Sequence, residues 1–131
     1  MVVGVDSRFE DNEYWVYQYT GSEKTIKSAK RKTKDWIKEA QDRGAGEIVL
    51  NCLNQDGIKR GYDIEQLNIM TDIINIPLIA SGGAGCNQDF ETVFKKTTVS
   101  GALAASIFHD NKTEIPALKE FLKQKGISVR I

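Results

Sequence analysis

Four short apolar runs punctuate the chain, and each stops at a polar or small-residue turn. Val2-Val3-Gly4-Val5 stops at Asp6, and Glu47-Ile48-Val49-Leu50-Asn51 leads into Asn54-Gln55-Asp56-Gly57. Pro77-Leu78-Ile79-Ala80 leads into Ser81-Gly82-Gly83-Ala84-Gly85, and Gly101-Ala102-Leu103-Ala104-Ala105 into Ser106. Continuous apolar runs without strict alternation suit strands buried in a parallel sheet. Helical patterns lie between them. Thr33 is placed to cap a helix that turns Trp36, Ile37 and Ala40 inward and ends near Gly44. Ile64, Leu67 and Ile74 line one face of the next helix, and Asn87 is placed to cap a third, with Phe90, Val93 and Phe94 inward. Thr113 is placed to cap the last helix, which has Pro116 in its first turn, Leu118, Phe121 and Leu122 inward, and its end at Gly126. The alternation of strand and helix predicts an α/β fold with a parallel sheet in one domain, residues 1–131.

One stretch departs from that order. Tyr14-Trp15-Val16-Tyr17-Gln18-Tyr19 alternates and is rich in aromatics, so it predicts a small hairpin inserted after the first strand. Thr20 to Lys32 is polar and basic and reads as a surface loop, and the basic residues from Lys27 to Lys34 read as a solvated face.

Composition narrows the partners. Lys+Arg and Asp+Glu are each 18 in 131 residues, so no net charge argues for nucleic acid or a membrane surface. No apolar run is long enough to span a bilayer, and no signal-peptide pattern opens the chain. The cysteines, Cys52 and Cys86, form no CxxC, so neither a metal site nor a disulfide framework is expected. No cofactor is implied, and free thiols suit the cytoplasm.

Ligands of parallel α/β folds bind outside the carboxyl ends of the strands. That rule selects Asp6, Asn51, the Asp56-Gly57 turn, Ser81-Gly82-Gly83 and Ala105-Ser106. The Ser81–Gly85 turn can bring backbone N–H groups to a phosphate, or it can be a tight connection and nothing more. A second small-residue turn after the next strand favours phosphate, because barrels build phosphate sites from two such adjacent loops. Asp6 can serve as a general acid or base, although an Asp at a strand end more often caps the turn that follows. The only histidine, His109, reads as a surface or helix-start residue.

At these same positions the sequence resembles the cyclase subunits of imidazole glycerol phosphate synthases. Arg43-Gly44-Ala45-Gly46-Glu47-Ile48-Val49-Leu50-Asn51 looks like the approach to the sixth strand of their (β/α)8 barrel and the strand itself. Asn54-Gln55-Asp56-Gly57 and Gly61-Tyr62-Asp63 look like the loop after it, and Leu78 to Gly85 like the seventh strand and its phosphate loop. Gly101 to His109 looks like the eighth strand, Val3-Gly4-Val5-Asp6 like the end of the fifth, and Gly126 to Ile131 like the C-terminus. The resemblance implies the C-terminal half of a TIM barrel: four parallel βα units, the fifth to the eighth. The full barrel would use ammonia from a glutaminase partner. It would turn a bis-phosphorylated aminoimidazole carboxamide ribonucleotide into imidazole glycerol phosphate and an aminoimidazole carboxamide ribonucleotide, in histidine biosynthesis.

By the resemblance, Asp6 is one of two catalytic aspartates, and Ser81, Gly82, Gly83, Ala105 and Ser106 hold one substrate phosphate. Asn51, Asp56 and Gly57 line the substrate site, and Glu47 belongs to a charged ring through which ammonia enters. Ile58 stands where many relatives carry a hydroxyl residue. The other aspartate, the second phosphate site and most of the ring belong to a half that is absent, and Met1 abutting the first strand points to a cut, an engineered start or a degraded gene. Two alternatives stand beside this reading: a half-barrel of a related pathway isomerase, and a non-catalytic fragment that binds phosphate. Four strands cannot close a barrel, so self-association through open sheet edges is expected. The runner-up is a reordered, flavodoxin-like open sheet.

Overall fold

The computed structural model describes residues 1–18, 27–55, 60–104, 108 and 113–129. Its elements are strands β1 (Val2–Glu10), β2 (Glu13–Gln18), β3 (Lys27–Lys32), β4 (Glu47–Cys52), β5 (Leu78–Ser81) and β6 (Gly101–Leu103), with helices α1 (Thr33–Asp42), α2 (Ile64–Thr71), α3 (Asn87–Lys96) and α4 (Ile115–Gln124). They build one sheet in the order β3-β2-β1-β4-β5-β6. The segment β1-β4-β5-β6 is parallel and runs in chain order, so the flavodoxin-like reordering does not occur.

All the buried positions of the strands fall on one face. Val5 and Ser7 of β1, Ile48, Leu50 and Cys52 of β4, and Leu78 and Ala80 of β5 are buried. They share a core with Ile37 and Ala40 of α1, Leu67 and Met70 of α2, Phe90 and Val93 of α3, and Leu118 and Leu122 of α4. Each fully buried aliphatic side chain contributes about 1.5–3 kcal/mol by leaving water. The alternate residues point the other way, and none of Val2, Gly4, Asp6, Glu47, Val49, Asn51, Ile79, Ser81, Gly101 and Leu103 is buried. A sheet with helices on one face and, among the described residues, nothing packed on the other has the layering of half a TIM barrel, whose bare face would be the barrel interior.

Several sequence expectations are corrected. β1 does not stop at Asp6 but runs to Glu10, where Asp11 and Asn12 take φ values of +52° and +63° and make a two-residue turn into β2. The antiparallel ribbon is therefore made from the end of β1 with β2, in register from Asp6↔Tyr17 to Glu10↔Glu13. Residues 27–32, expected in a loop, form β3 against β2 with a bulge; residues 19–26 lie outside the description. Lys32, not Thr33, is the N-cap of α1. Thr33 is fully buried instead, and its hydroxyl shares a 2.7 Å hydrogen bond with that of Ser7. Cys86 replaces Asn87 as N-cap of α3, and Glu114 replaces Thr113 as N-cap of α4, each one residue earlier or later than expected. Ile74 is buried but lies beyond the end of α2. Among the described residues, no helix is long and apolar enough to cross a membrane.

Candidate functional site

The parallel register aligns the strand ends. Asp6 pairs with Asn51, Asn51 with Ser81, and Ser81 with Leu103, so one row crosses four strands on the bare face, near the carboxyl ends of β4, β5 and β6 and at the middle of β1, close to where its parallel pairing ends. The Asn51 amide Nδ2 donates to Asp6 Oδ1 at 3.2 Å, tying the first two members together. On the antiparallel side Asp6 pairs with Tyr17. The next row down is Gly4, Val49, Ile79 and Gly101. Two of its members lack side chains, and the space beside the Gly4 Cα is open. Glu47 pairs with Val2 at the opposite end of the same face, about 13 Å from Asn51 at the usual rise per residue.

Gly82 and Gly83 follow Ser81 with φ of +95° and +121°, both in the left-handed region that favours glycine. They are also held by backbone packing. A Cβ on Gly82 would lie 2.9 Å from the Cys52 carbonyl oxygen, and one on Gly83 would lie 2.1 Å from that of Gly61. These glycines therefore have a reason to exist apart from any ligand. Gly83 and Ala84 are buried, and among the described residues their N–H groups meet no acceptor; successive backbone N–H groups of this kind can hold an anion. The neighbouring amides are already engaged: Asp89 Oδ2 accepts from Gly85 at 2.7 Å and from Cys86 at 3.1 Å, which seals the N-terminus of α3.

Gly83→Ala is expected to destabilise the chain by about 1–3 kcal/mol for the strained φ alone, and by more once the Gly61 backbone is displaced. Urea denaturation measures the difference.

Asp56 and Gly57, Ala105 and Ser106, and also Ile58 and His109, lie outside the described residues. Asp6, Asn51, Ser81, Gly82 and Gly83 come together, and Glu47 stands apart at the far end. Sequence reasoning placed Gly61 and Tyr62 in the loop after the sixth-strand match but gave them, and Asp89, no part in the site. Tyr62 is buried, edge-on to Phe90 with ring centroids 5.7 Å apart, and its hydroxyl donates to the Leu103 carbonyl at 2.8 Å. Burial, with Asp89 nearby, holds the Tyr62 hydroxyl well above its ordinary pKa, so it stays a donor. Burial likewise pushes the Cys52 thiol up and leaves it inert. Among the described residues no group of His, Cys, Asp and Glu could hold a metal ion.

A parallel sheet segment with its helices on one face, and an acid, an amide and a glycine-rich bend on the other side, is consistent with half of a TIM barrel. The chain belongs to the histidine biosynthesis protein family, whose pattern matches residues 1–114. It is 53% identical over its whole length to the imidazole glycerol phosphate synthase subunit hisF1 of Vibrio vulnificus, covering 52% of that protein. It is 56% identical to the corresponding HisF subunit of Aliivibrio salmonicida, over 99% of this chain and 51% of that one. The chain thus spans about half the length of the curated relatives it matches.

Proposed function

We propose that this chain is the C-terminal half of the cyclase subunit of imidazole glycerol phosphate synthase, and that it acts as one domain. Within a completed barrel it would take ammonia from a glutaminase subunit. It would help convert the bis-phosphorylated ribonucleotide to imidazole glycerol phosphate and an aminoimidazole carboxamide ribonucleotide, a lyase reaction in the cytoplasm. The observation that carries this reading is the row Asp6–Asn51–Ser81, which sets a carboxylate on the same face as the Gly82-Gly83 bend, two strands away. The assignment to the C-terminal half rests on order. Barrel phosphate sites are often made by the loops after the seventh and eighth strands, and here the small-residue turns follow the last two parallel strands, β5 and β6.

In this reading Asp6 is one of two catalytic aspartates. Ser81, Gly82, Gly83, Ala105 and Ser106 hold a phosphate, and Asn51, Asp56 and Gly57 line the substrate site. Glu47 joins the ring at which ammonia enters, and ammonia moves along the bare face past the glycine-containing row. Alone, the chain binds phosphate with little turnover, because holding both substrate ends is worth several kcal/mol of positioning. It also self-associates through its open edges.

The test is complementation. Co-expression with the N-terminal half of the Vibrio vulnificus relative is expected to give a stoichiometric complex with cyclase activity on ammonium salts. Co-expression with that relative's C-terminal half is expected to give none. Activity with the second partner, or silence with the first, would overturn the assignment.

A further inference from the structure

Four consecutive backbone N–H groups follow Gly82 at the exit of β5, and they fall into two pairs. Those of Gly83 and Ala84 meet no acceptor among the described residues. Those of Gly85 and Cys86 both donate to one carboxylate oxygen, Asp89 Oδ2, at 2.7 Å and 3.1 Å. Asp89 is the third residue of α3, so its side chain folds back over the start of its own helix. Its other oxygen, Oδ1, lies against Gly61, where an added Cβ would sit 3.2 Å away. Capping needs an oxygen acceptor, and a neutral side chain supplies one as well. The negative charge is therefore an addition that the helix does not require. Nor is it cancelled: among the described residues no ion pair includes Asp89. Its field reaches a buried neighbour. After burial itself, the Asp89 charge is what holds the Tyr62 hydroxyl above its ordinary pKa.

We propose that Asp89 is a specificity-determining residue of the loop after β5. It fills two of the four amides with its own charge and sets that charge beside the two left for a ligand. The loop then repels a free dianion and accepts the phosphate only of a ligand that other contacts also hold. The inference rests on the phosphate reading of the Gly82-Gly83 bend and deepens it, and it concerns residues 83–89 alone. Free inorganic phosphate competes with any phosphorylated ligand for such amides. A repulsion that a larger ligand can offset and a small one cannot is a way to discriminate between them. Coulomb energy scales with the product of the charges, so the penalty on a dianion is double that on a monoanion.

The test is a titration of the full chain, wild type and Asp89→Asn, with sulfate and with perchlorate at constant ionic strength. The two anions are both tetrahedral and differ in charge, and the amide NMR shifts of Gly83 and Ala84 report binding at this place. Asparagine keeps an oxygen for Gly85 and Cys86 and removes the charge. Sulfate is expected to bind the variant about three- to tenfold more tightly than it binds wild type, and perchlorate only about two- to threefold. A purely structural role forecasts the opposite sign, because a loosened loop holds every anion less well. Binding seen only in the variant also supports the proposal. Shifts at Gly83 and Ala84 in neither protein would remove the amide site and the inference together. Wild-type binding that is unchanged or weakened in the variant, or a gain equal for both anions, would overturn the role of Asp89 and leave the site standing. Should Asp89→Asn lose its fold by circular dichroism, Asp89→Ser, a neutral capping residue, takes its place under the same criteria.

Discussion

In the complemented barrel, Asp6→Asn is expected to cut cyclase turnover by roughly 10²–10⁴-fold, the usual range for removing a positioned general acid or base. Asparagine has nearly the shape of aspartate and still offers a side-chain oxygen to Asn51 Nδ2, which now donates to Asp6 Oδ1 at 3.2 Å. What it cannot do is exchange a proton. A cyclase assay with ammonium salts reads the loss, and phosphate titration on the same sample should stay within about twofold, because the anion site lies two strands away at the Gly82-Gly83 bend. The more ordinary role for an aspartate at a strand end, capping the next turn, makes a different forecast: stability falls and turnover survives. β1 continues straight through Asp6 to Glu10, so no turn begins there. A variant that keeps more than a tenth of wild-type turnover would remove Asp6 from the chemistry.

The parallel units were legible because a strand buried on its helix side by Ile48, Leu50 and Cys52, and flanked by Val49, must read as an apolar run. The ends of β4 and β5 were legible for the same reason, since their apolar runs stop at polar residues, but the end of β1 was not, because that strand continues past Asp6 to Glu10. β3 was hidden because Lys27-Ser28-Ala29-Lys30-Arg31-Lys32 has no apolar alternation. It lies at the outer edge of the sheet, where lysines discourage further pairing and cost the strand its signature. The turn at Asp11-Asn12 did carry a signal, since both residue types tolerate the left-handed region, but the polar stretch around it masked the strand on either side. Thr33 misled because Ser7, 26 residues earlier, draws its hydroxyl into the core, a contact no local window contains. The contacts of Gly61 and Tyr62 were unreadable on the same principle, since they join backbone atoms of Gly61 and Gly83, and a tyrosine hydroxyl to the carbonyl of Leu103, 41 residues on.

In the absence of a partner half, the chain is expected to run as a dimer at micromolar concentration, at twice its 14.6 kDa mass by light scattering. The carbonyls of Met1 and Ser7 accept from Gly46 and Leu53 on the β4 side. By alternation, the amide and carbonyl groups of Val2 and Gly4 face the opposite way. β2 covers that side only from Asp6 onward, which leaves the start of β1 as an open edge among the described residues. At the far end of the sheet, among the described residues, β6 pairs with β5 alone. Beside it lies a largely apolar cleft of about 470 Å³ lined by Phe90, Phe94, Leu103, Phe108, Ile115 and Val129, among others. Val2 and Leu103, at the two edges, are 59% and 49% exposed. A second copy turned by a twofold axis would set each β6 against the other's β1 in the parallel sense and make eight strands, the number whose interior side chains can fill. Gly4→Pro removes an edge donor and spares the ladder to β4, as proline does on edge strands. It is expected to raise the dissociation constant at least about tenfold, because the twofold counts the loss twice and a backbone hydrogen bond contributes about 1 kcal/mol. Leu103→Lys, which sets a charge on the opposite edge, should act in the same direction. A stable wild-type monomer, or dimers indifferent to both substitutions, would mean that the bare face is covered in some other way.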